Sequence, residues 1–356
     1  MPDTTADTPA AHPPPTGTAR LTPRVIVRQL NQHVVGQDDA KKVLAVAAYN
    51  HLRRRQTSAE SGVRLAKNNV LLIGPSGSGK TLMCETLGRI LGVPFVSADA
   101  TGLTQTRFIG EALEAVLQRL VDAADGDFAL AERGIVFLDE VDKLKAAPGE
   151  SRASNGEAVQ HALLRAMEGS LVRLRALDTS HWLDTTGILF ICGGAFVGLE
   201  EVMESNRSYG FISAGGGDDR AILDRLNARI KPTDLFAFGL IPEFTGRLPV
   251  VARLDALDRD TLIRIMTEPA DALYRQYQAM FAAEGVRLDI AERVFEELAD
   301  LALEYRTGAR GLRGLFEELV TPVLYVIPDQ PEVRQVAFTS VYTGPTITRG
   351  PPRGGA

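Results

Sequence analysis

The strongest constraint on this chain is the stretch Val70-Leu71-Leu72-Ile73-Gly74-Pro75-Ser76-Gly77-Ser78-Gly79-Lys80-Thr81. An apolar run of strand character empties into GxxxxGKT, and a helical pattern opens near Leu82. Strand, glycine-rich turn and helix in that order make a P-loop. The turn Gly74, Pro75, Ser76, Gly77, Ser78, Gly79 would wrap so that its N–H groups, aided by the helix N-terminus, cradle phosphate oxygens. Lys80 then reaches the terminal phosphates, and the Thr81 hydroxyl faces Mg²⁺. A site of this kind sits at the end of a buried strand, so the motif predicts a sheet covered on both faces.

A second apolar run, Ile135-Val136-Phe137-Leu138, ends in Asp139 and Glu140. Asp139 is placed to hold the Mg²⁺ shell and Glu140 to polarise an attacking water; the plainer alternative is that both acids only start the next helix. Further strand-like runs at 69–73, 95–98, 188–192 and 249–254 alternate with helical stripes such as Leu113, Val116, Leu117, Leu120 and Val159, Leu163, Met167. That alternation predicts an α/β fold with a mostly parallel sheet. After about Leu254 the pattern turns helical, from Leu262 to Met266, after Pro269 through Met280, and from Val294 to Gly308, with a short strand near Val336 to Phe338. The expected organisation is a Pro-rich disordered arm over 1–21, a large ATPase domain over 22–252, a smaller, mainly helical C-terminal domain over 255–344 and a loose tail over 345–356.

Composition narrows the partners. A net charge of −6 and a pI near 5.5 argue against nucleic acid, since binding domains for it usually carry a pI above about 9 or a basic stripe. The only basic run, Arg53-Arg54-Arg55, is expected on a solvated helix face. Two cysteines, Cys84 and Cys192, both in apolar surroundings, cannot build a four-cysteine zinc module. No apolar run reaches membrane-spanning length and no signal-type segment is visible, which predicts a cytoplasmic protein with no membrane partner.

Several stretches resemble the ClpX-type AAA+ protein unfoldases. They are Val34-Val35-Gly36-Gln37 with Ala47-Ala48-Tyr49-Asn50-His51, Ile188 through Phe196, Gly239 through Pro249, and Thr307-Gly308-Ala309-Arg310-Gly311-Leu312-Arg313. The resemblance spans about residues 22 to 344 and implies an AAA+ P-loop NTPase domain followed by the small domain. It implies an ATPase using ATP and Mg²⁺, assembled as a homo-hexameric ring that threads polypeptides through a central pore. By the resemblance, Lys80, Asp139, Glu140, Arg247 and Arg310 are catalytic: Arg247 as a finger reaching the neighbouring subunit's nucleotide, Arg310 as a sensor on its own. Val34 and Val35 fall in the adenine-pocket segment, and Phe108 with Ile109 in the pore loop. Tyr209-Gly210-Phe211 matches the loop that docks the peptidase ClpP.

The chain also departs from the family. Phe108 and Arg107 stand where Tyr and Gly are usual, and the pore-entrance insert is shortened to Leu171 through Gly187. Cys192-Gly193-Gly194 lacks the Asn or Thr that many AAA+ proteins use to sense phosphate, a departure from the wider superfamily that ClpX-type sequences share. In place of the family's zinc-binding N-terminal domain there is only the Pro-rich arm, so no zinc is expected. Two alternatives remain: a stand-alone remodelling chaperone without a peptidase, and a nucleic-acid-acting motor.

Overall fold

The computed structural model describes residues 21–63, 66–104, 109–145, 155–176, 179–207 and 229–351. Thr22 caps the first helix, Pro23–Leu30: its Oγ1 accepts from Val25 N–H at 3.4 Å, and Pro23 fills the first turn, where no N–H is needed.

Five strands, β1 (Val70–Ile73), β2 (Phe95–Asp99), β3 (Ile135–Asp139), β6 (Leu189–Gly194) and β7 (Val250–Arg253), form one parallel sheet in the order β2-β3-β6-β1-β7. Side chains alternate between its two faces. Leu71, Ile73, Val136, Leu138, Phe190 and Cys192 enter one core, and Val70, Leu72, Ile135, Phe137, Leu189 and Ile191 enter the other. Burial on both sides is why these strands read as unbroken apolar runs. The helix Ile109–Asp122 packs Leu113, Val116, Leu117 and Leu120 on the first face, and Asn155–Glu168 adds Val159, Leu163 and Met167.

A third core gathers residues between Leu257 and Ile347. It is built by the helices Arg259–Thr267, Leu273–Ala283, Glu292–Glu304 and Ala309–Val326, with Tyr277 stacked on Phe316 at 5.0 Å. Three strands close it, β8 (Arg287–Ile290), β9 (Val333–Phe338) and β10 (Thr346–Arg349). The expected loose tail is therefore corrected at its start: from Thr346 to Arg349 the chain pairs antiparallel with β9, and Ile347 packs on the third core. Among the described residues, the shortened insert pairs β4 (Leu171–Ala176) antiparallel with β5 (Thr179–Asp184).

The arginine run is not simply solvated. Arg53 donates to the Tyr49 hydroxyl at 2.8 Å and lies over its ring, and Arg54 donates to the Thr186 carbonyl. Close by, the Lys67 ammonium donates to the carbonyls of Thr185 (2.8 Å) and Ala166 (3.3 Å) and stands over the Phe190 ring. Burial brings Lys67 down to about 7, and burial with the Arg54 charge brings His51 down to about 4. Since the unfolded chain takes up the His51 proton near pH 6.5 and the folded one only near 4, stability is lost as pH falls through that interval. Thermal melts of His51→Gln are expected to show a smaller drop in Tm between pH 6.5 and pH 4 than the unaltered chain.

Candidate functional site

The P-loop leaves β1 at the carboxyl ends of the sheet strands, the edge at which open α/β sheets bind ligands. Its glycines serve two purposes. Gly77 and Gly79 adopt φ of +76° and +98°, the left-handed region that β-carbon-bearing residues avoid. Gly74 is needed for room instead: a Cβ there would lie 2.7 Å from the Leu254 carbonyl oxygen. Gly74 N–H donates to Gly194 O and Leu254 N–H to Ile73 O, which locks β1 between its neighbours at this level. Gly74→Ala is expected to cost about 1–3 kcal/mol through overpacking, read as a lower Tm and a weaker nucleotide Kd together.

Gly77, Gly79, Lys80, Thr81, Leu82, Asp139 and Arg310 line a cavity of about 370 Å³ at the start of the helix Lys80–Leu91. The Lys80 ammonium donates to the carbonyls of Gly74 (2.7 Å) and Pro75 (3.0 Å). Burial holds it below its ordinary value; Asp139 opposes that shift and the Arg310 guanidinium adds to it. Ser78 Oγ is buried with no hydrogen-bond partner among the described residues. Thr81 Oγ1 lies 3.5 Å from Asp139 Oδ2. An orphaned hydroxyl, a buried ammonium resting on carbonyls and a helix N-terminus together suit a polyphosphate. The adjoining hydroxyl and carboxylate suit Mg²⁺, which takes one or two protein oxygens and keeps waters.

The two carboxylates at the end of β3 are separated by backbone geometry. Asp139 is half-buried at the cavity, whereas Glu140 is exposed with φ 58° and ψ 31°, a conformation uncommon outside glycine. Glu140 N–H donates to Asp139 Oδ1 at 2.9 Å, which ties the turn to the carboxylate before it. Glu140 also caps the short 3-10 helix Val141–Leu144, so the helix-start alternative describes the backbone without excluding a chemical use of the side chain.

The missing phosphate-sensing side chain on β6 has a steric cause. A Cβ at Gly193 would meet the Phe137 ring at 2.7 Å, and one at Gly194 would meet Asp142 Oδ1 at 2.5 Å. Asp142 is buried, its Oδ2 accepts from Phe196 N–H at 3.2 Å, and its Oδ1 has no partner among the described residues. Sequence reading overlooked Asp142, three residues beyond Asp139.

Arg310 opens the helix Ala309–Val326, whose first turn faces the P-loop. Here two backbones nearly touch: a Cβ on Gly77 would lie 2.9 Å from Thr307 O, and one on Gly308 3.3 Å from Ser76 O. Val34 and Val35 are buried and line a second cavity of about 750 Å³ against Arg264 and Ala270. Gln37, read from the sequence only as part of the resemblance, links this segment to the P-loop. Its Nε2 donates to Ser78 O (3.5 Å) and Asp255 O (2.9 Å), while its Oε1 accepts from Asp255 N–H at 2.9 Å.

Arg247 is not brought to this cavity. β7 runs parallel to β1 with Val250 beside Val70 and Arg253 beside Ile73, so Arg247, preceding Val250, lies at the sheet edge opposite the P-loop. Strands of this length separate the two edges by roughly 13 Å. Phe108, Tyr209, Gly210 and Phe211 lie outside the described residues, as does Ile109's side chain, although Ile109 begins a helix. Cys84 and Cys192 are fully buried, and burial pushes both thiols up, Cys192 to about 12, as expected of core residues. Among the described residues, no group of three or more His, Cys, Asp or Glu could hold a metal ion, and no helix is long and apolar enough to cross a membrane.

Comparison with known proteins agrees with this fold. Residues 65–251 match the model of the AAA domain (Cdc48 subfamily), and residues 257–337 match that of the C-terminal, D2-small domain of ClpB protein. "ATP-dependent Clp protease ATP-binding subunit ClpX 3" of Methylococcus capsulatus is 45% identical over 88% of this chain and 78% of its own length. The ClpX proteins of Borrelia duttonii and Azotobacter vinelandii are 42% and 44% identical, over 94% and 88% of this chain and 80% and 76% of theirs. With a five-stranded parallel sheet, a P-loop cavity and likeness of this extent, the chain belongs to the ClpX-type AAA+ ATPases.

Proposed function

We propose that this ATPase is a protein unfoldase and translocase that works as a six-membered ring and serves as the specificity subunit of a ClpP-type peptidase. The observation that carries the reading is the placement of Arg247, across the sheet from its own chain's P-loop. A guanidinium there is useful to phosphoryl transfer only if it belongs to a neighbour's site, and that requires a closed assembly.

ATP supplies the phosphoryl group whose transfer to water releases the driving energy. Lys80 and the P-loop N–H groups hold its phosphates, and Thr81 and Asp139 would hold the Mg²⁺. Glu140 accepts a proton from the attacking water, Arg310 binds the phosphates from the second unit, and Val34 and Val35 flank the base. Phe108 and Ile109 grip the threaded polypeptide through packing that tolerates any sequence, and Tyr209-Gly210-Phe211 meets the peptidase. A folded substrate domain is stable by about 5–15 kcal/mol, so repeated turnover is needed to pull it apart. Acidic charge disfavours a nucleic-acid track.

The test is ATP-dependent loss of fluorescence from a tagged, folded reporter, with and without ClpP. Unfolding with cleavage is the expected result. Unfolding without cleavage would leave a stand-alone remodelling chaperone, and ATPase stimulation by DNA with no unfolding would overturn the reading.

A further inference from the structure

The helix Asn155–Glu168 ends beside Arg247, and its last turn is held by two side chains distant in sequence. The carbonyls of a helix C-terminus lack partners within the helix. Here Lys67 donates to Ala166 O at 3.3 Å and Asn69 Nδ2 donates to Met167 O at 3.3 Å. The same Asn69 amide donates to Arg247 O at 3.1 Å, and its Oδ1 accepts from Phe190 N–H at 3.4 Å. Asn69 is 1% exposed and immediately precedes β1, so the Arg247 backbone and the helix end are pinned to the centre of the sheet.

The terminal residue, Glu168, is unfavourably placed for the helix itself, because the C-terminal end of the dipole repels an anion. What it does there is hold Arg247: Glu168 Oε1 lies 2.6 Å from Arg247 Nη2. Both side chains are about half exposed, so the pair contributes little to stability. A guanidinium carries five N–H donors in a rigid fork, and engaging one nitrogen fixes the direction of the others without using them up.

We propose that Glu168 is a positioning residue for Arg247, orienting the guanidinium toward the neighbouring subunit's nucleotide while Asn69 fixes its backbone. This inference rests on Arg247 acting across the subunit boundary. A finger free to rotate spends part of its time misaimed, and a misplacement of an ångström can cost about 10²-fold in rate.

The experiment compares steady-state ATP hydrolysis by the full chain with that of Glu168→Gln, Glu168→Asp, Arg247→Ala and the double variant Glu168→Gln/Arg247→Ala, alongside Tm and assembly state. Glu168→Gln is expected to lower kcat about 10- to 100-fold with KM, Tm and assembly unchanged. Glu168→Asp recovers part of the loss, and the double variant is no slower than Arg247→Ala, since an absent side chain cannot be misaimed. An unchanged or raised kcat for Glu168→Gln, beside a slow Arg247→Ala, overturns the positioning role alone, as does a double variant whose losses multiply. A fall in Tm that accounts for the lost rate would likewise make Glu168 structural. Normal turnover by Arg247→Ala would remove both this inference and the finger reading beneath it.

Discussion

Replacing Arg247 with alanine is expected to reduce ATP turnover by about 10³- to 10⁵-fold while leaving nucleotide affinity and the fold of the single chain in place. The loss should be large because charge on the transferred phosphoryl group is stabilised by fixed cations in a site from which water is excluded. The fold should survive because the side chain is half exposed and its ion pair with Glu168 lies at the surface. Turnover by mixed assemblies checks the geometry as well as the magnitude. Arg247→Ala subunits keep a complete P-loop, and Lys80→Ala subunits keep the arginine. If the arginine acts between chains, mixing the two inactive variants restores activity at interfaces where one supplies the loop and the other the finger. If it acted within its own chain, no mixture would turn over.

Glu140→Gln is expected to lower hydrolysis by about 10²- to 10⁴-fold with the Kd for ATP unchanged. The exchange keeps the volume and hydrogen-bonding reach of the side chain and removes only its ability to take a proton. Binding should be indifferent to it because Lys80, Thr81 and Asp139 line the cavity and Glu140 does not. The left-handed backbone at Glu140 persists in the variant, since glutamine has the same steric preference as glutamate. Single-turnover kinetics with equilibrium nucleotide binding separates the two quantities, and undiminished turnover would remove Glu140 from the chemistry.

The sheet was legible because its strands are buried on both faces, so each appears as an apolar run that needs no alternation to be recognised. The P-loop was legible because its glycine spacing is rare and its flanks agree. Elsewhere the signal was weaker. Arg287-Leu288-Asp289-Ile290 buries Leu288 but exposes Arg287, which leaves β8 too short and too mixed to stand out. The helix Ala309–Val326 contains Gly311, Gly314 and Pro322, each of which argues against a helix when read locally; packing of Leu312, Phe316 and Val320 on the third core outweighs them. The basic run was misjudged because Arg53 and Arg54 find acceptors at Tyr49 and Thr186, and the second of these is distant in sequence.

The supporting residues of the site were the least visible. Asn69 contacts groups 98, 121 and 178 positions away, and Gln37 closes on Asp255 across 218. A single asparagine before a strand gives no sign of those partners. Gly193-Gly194 did carry a usable signal: two adjacent glycines at the end of a buried strand mark a place where other groups crowd the backbone. Here those groups are Phe137 and Asp142.

The near contact of Gly77 with Thr307 and Gly308 has a mechanical consequence. Wherever two units meet through long side chains, rotamer changes can soak up a small displacement before it travels further. At this seam main chain abuts main chain, and nothing between them can give. A shift of the loop on losing a bound anion would pass directly to the helix Ala309–Val326, which carries Arg310 at its tip and Phe316 and Val320 in the third core. A displacement of one unit at this seam would thus reach the other without slack.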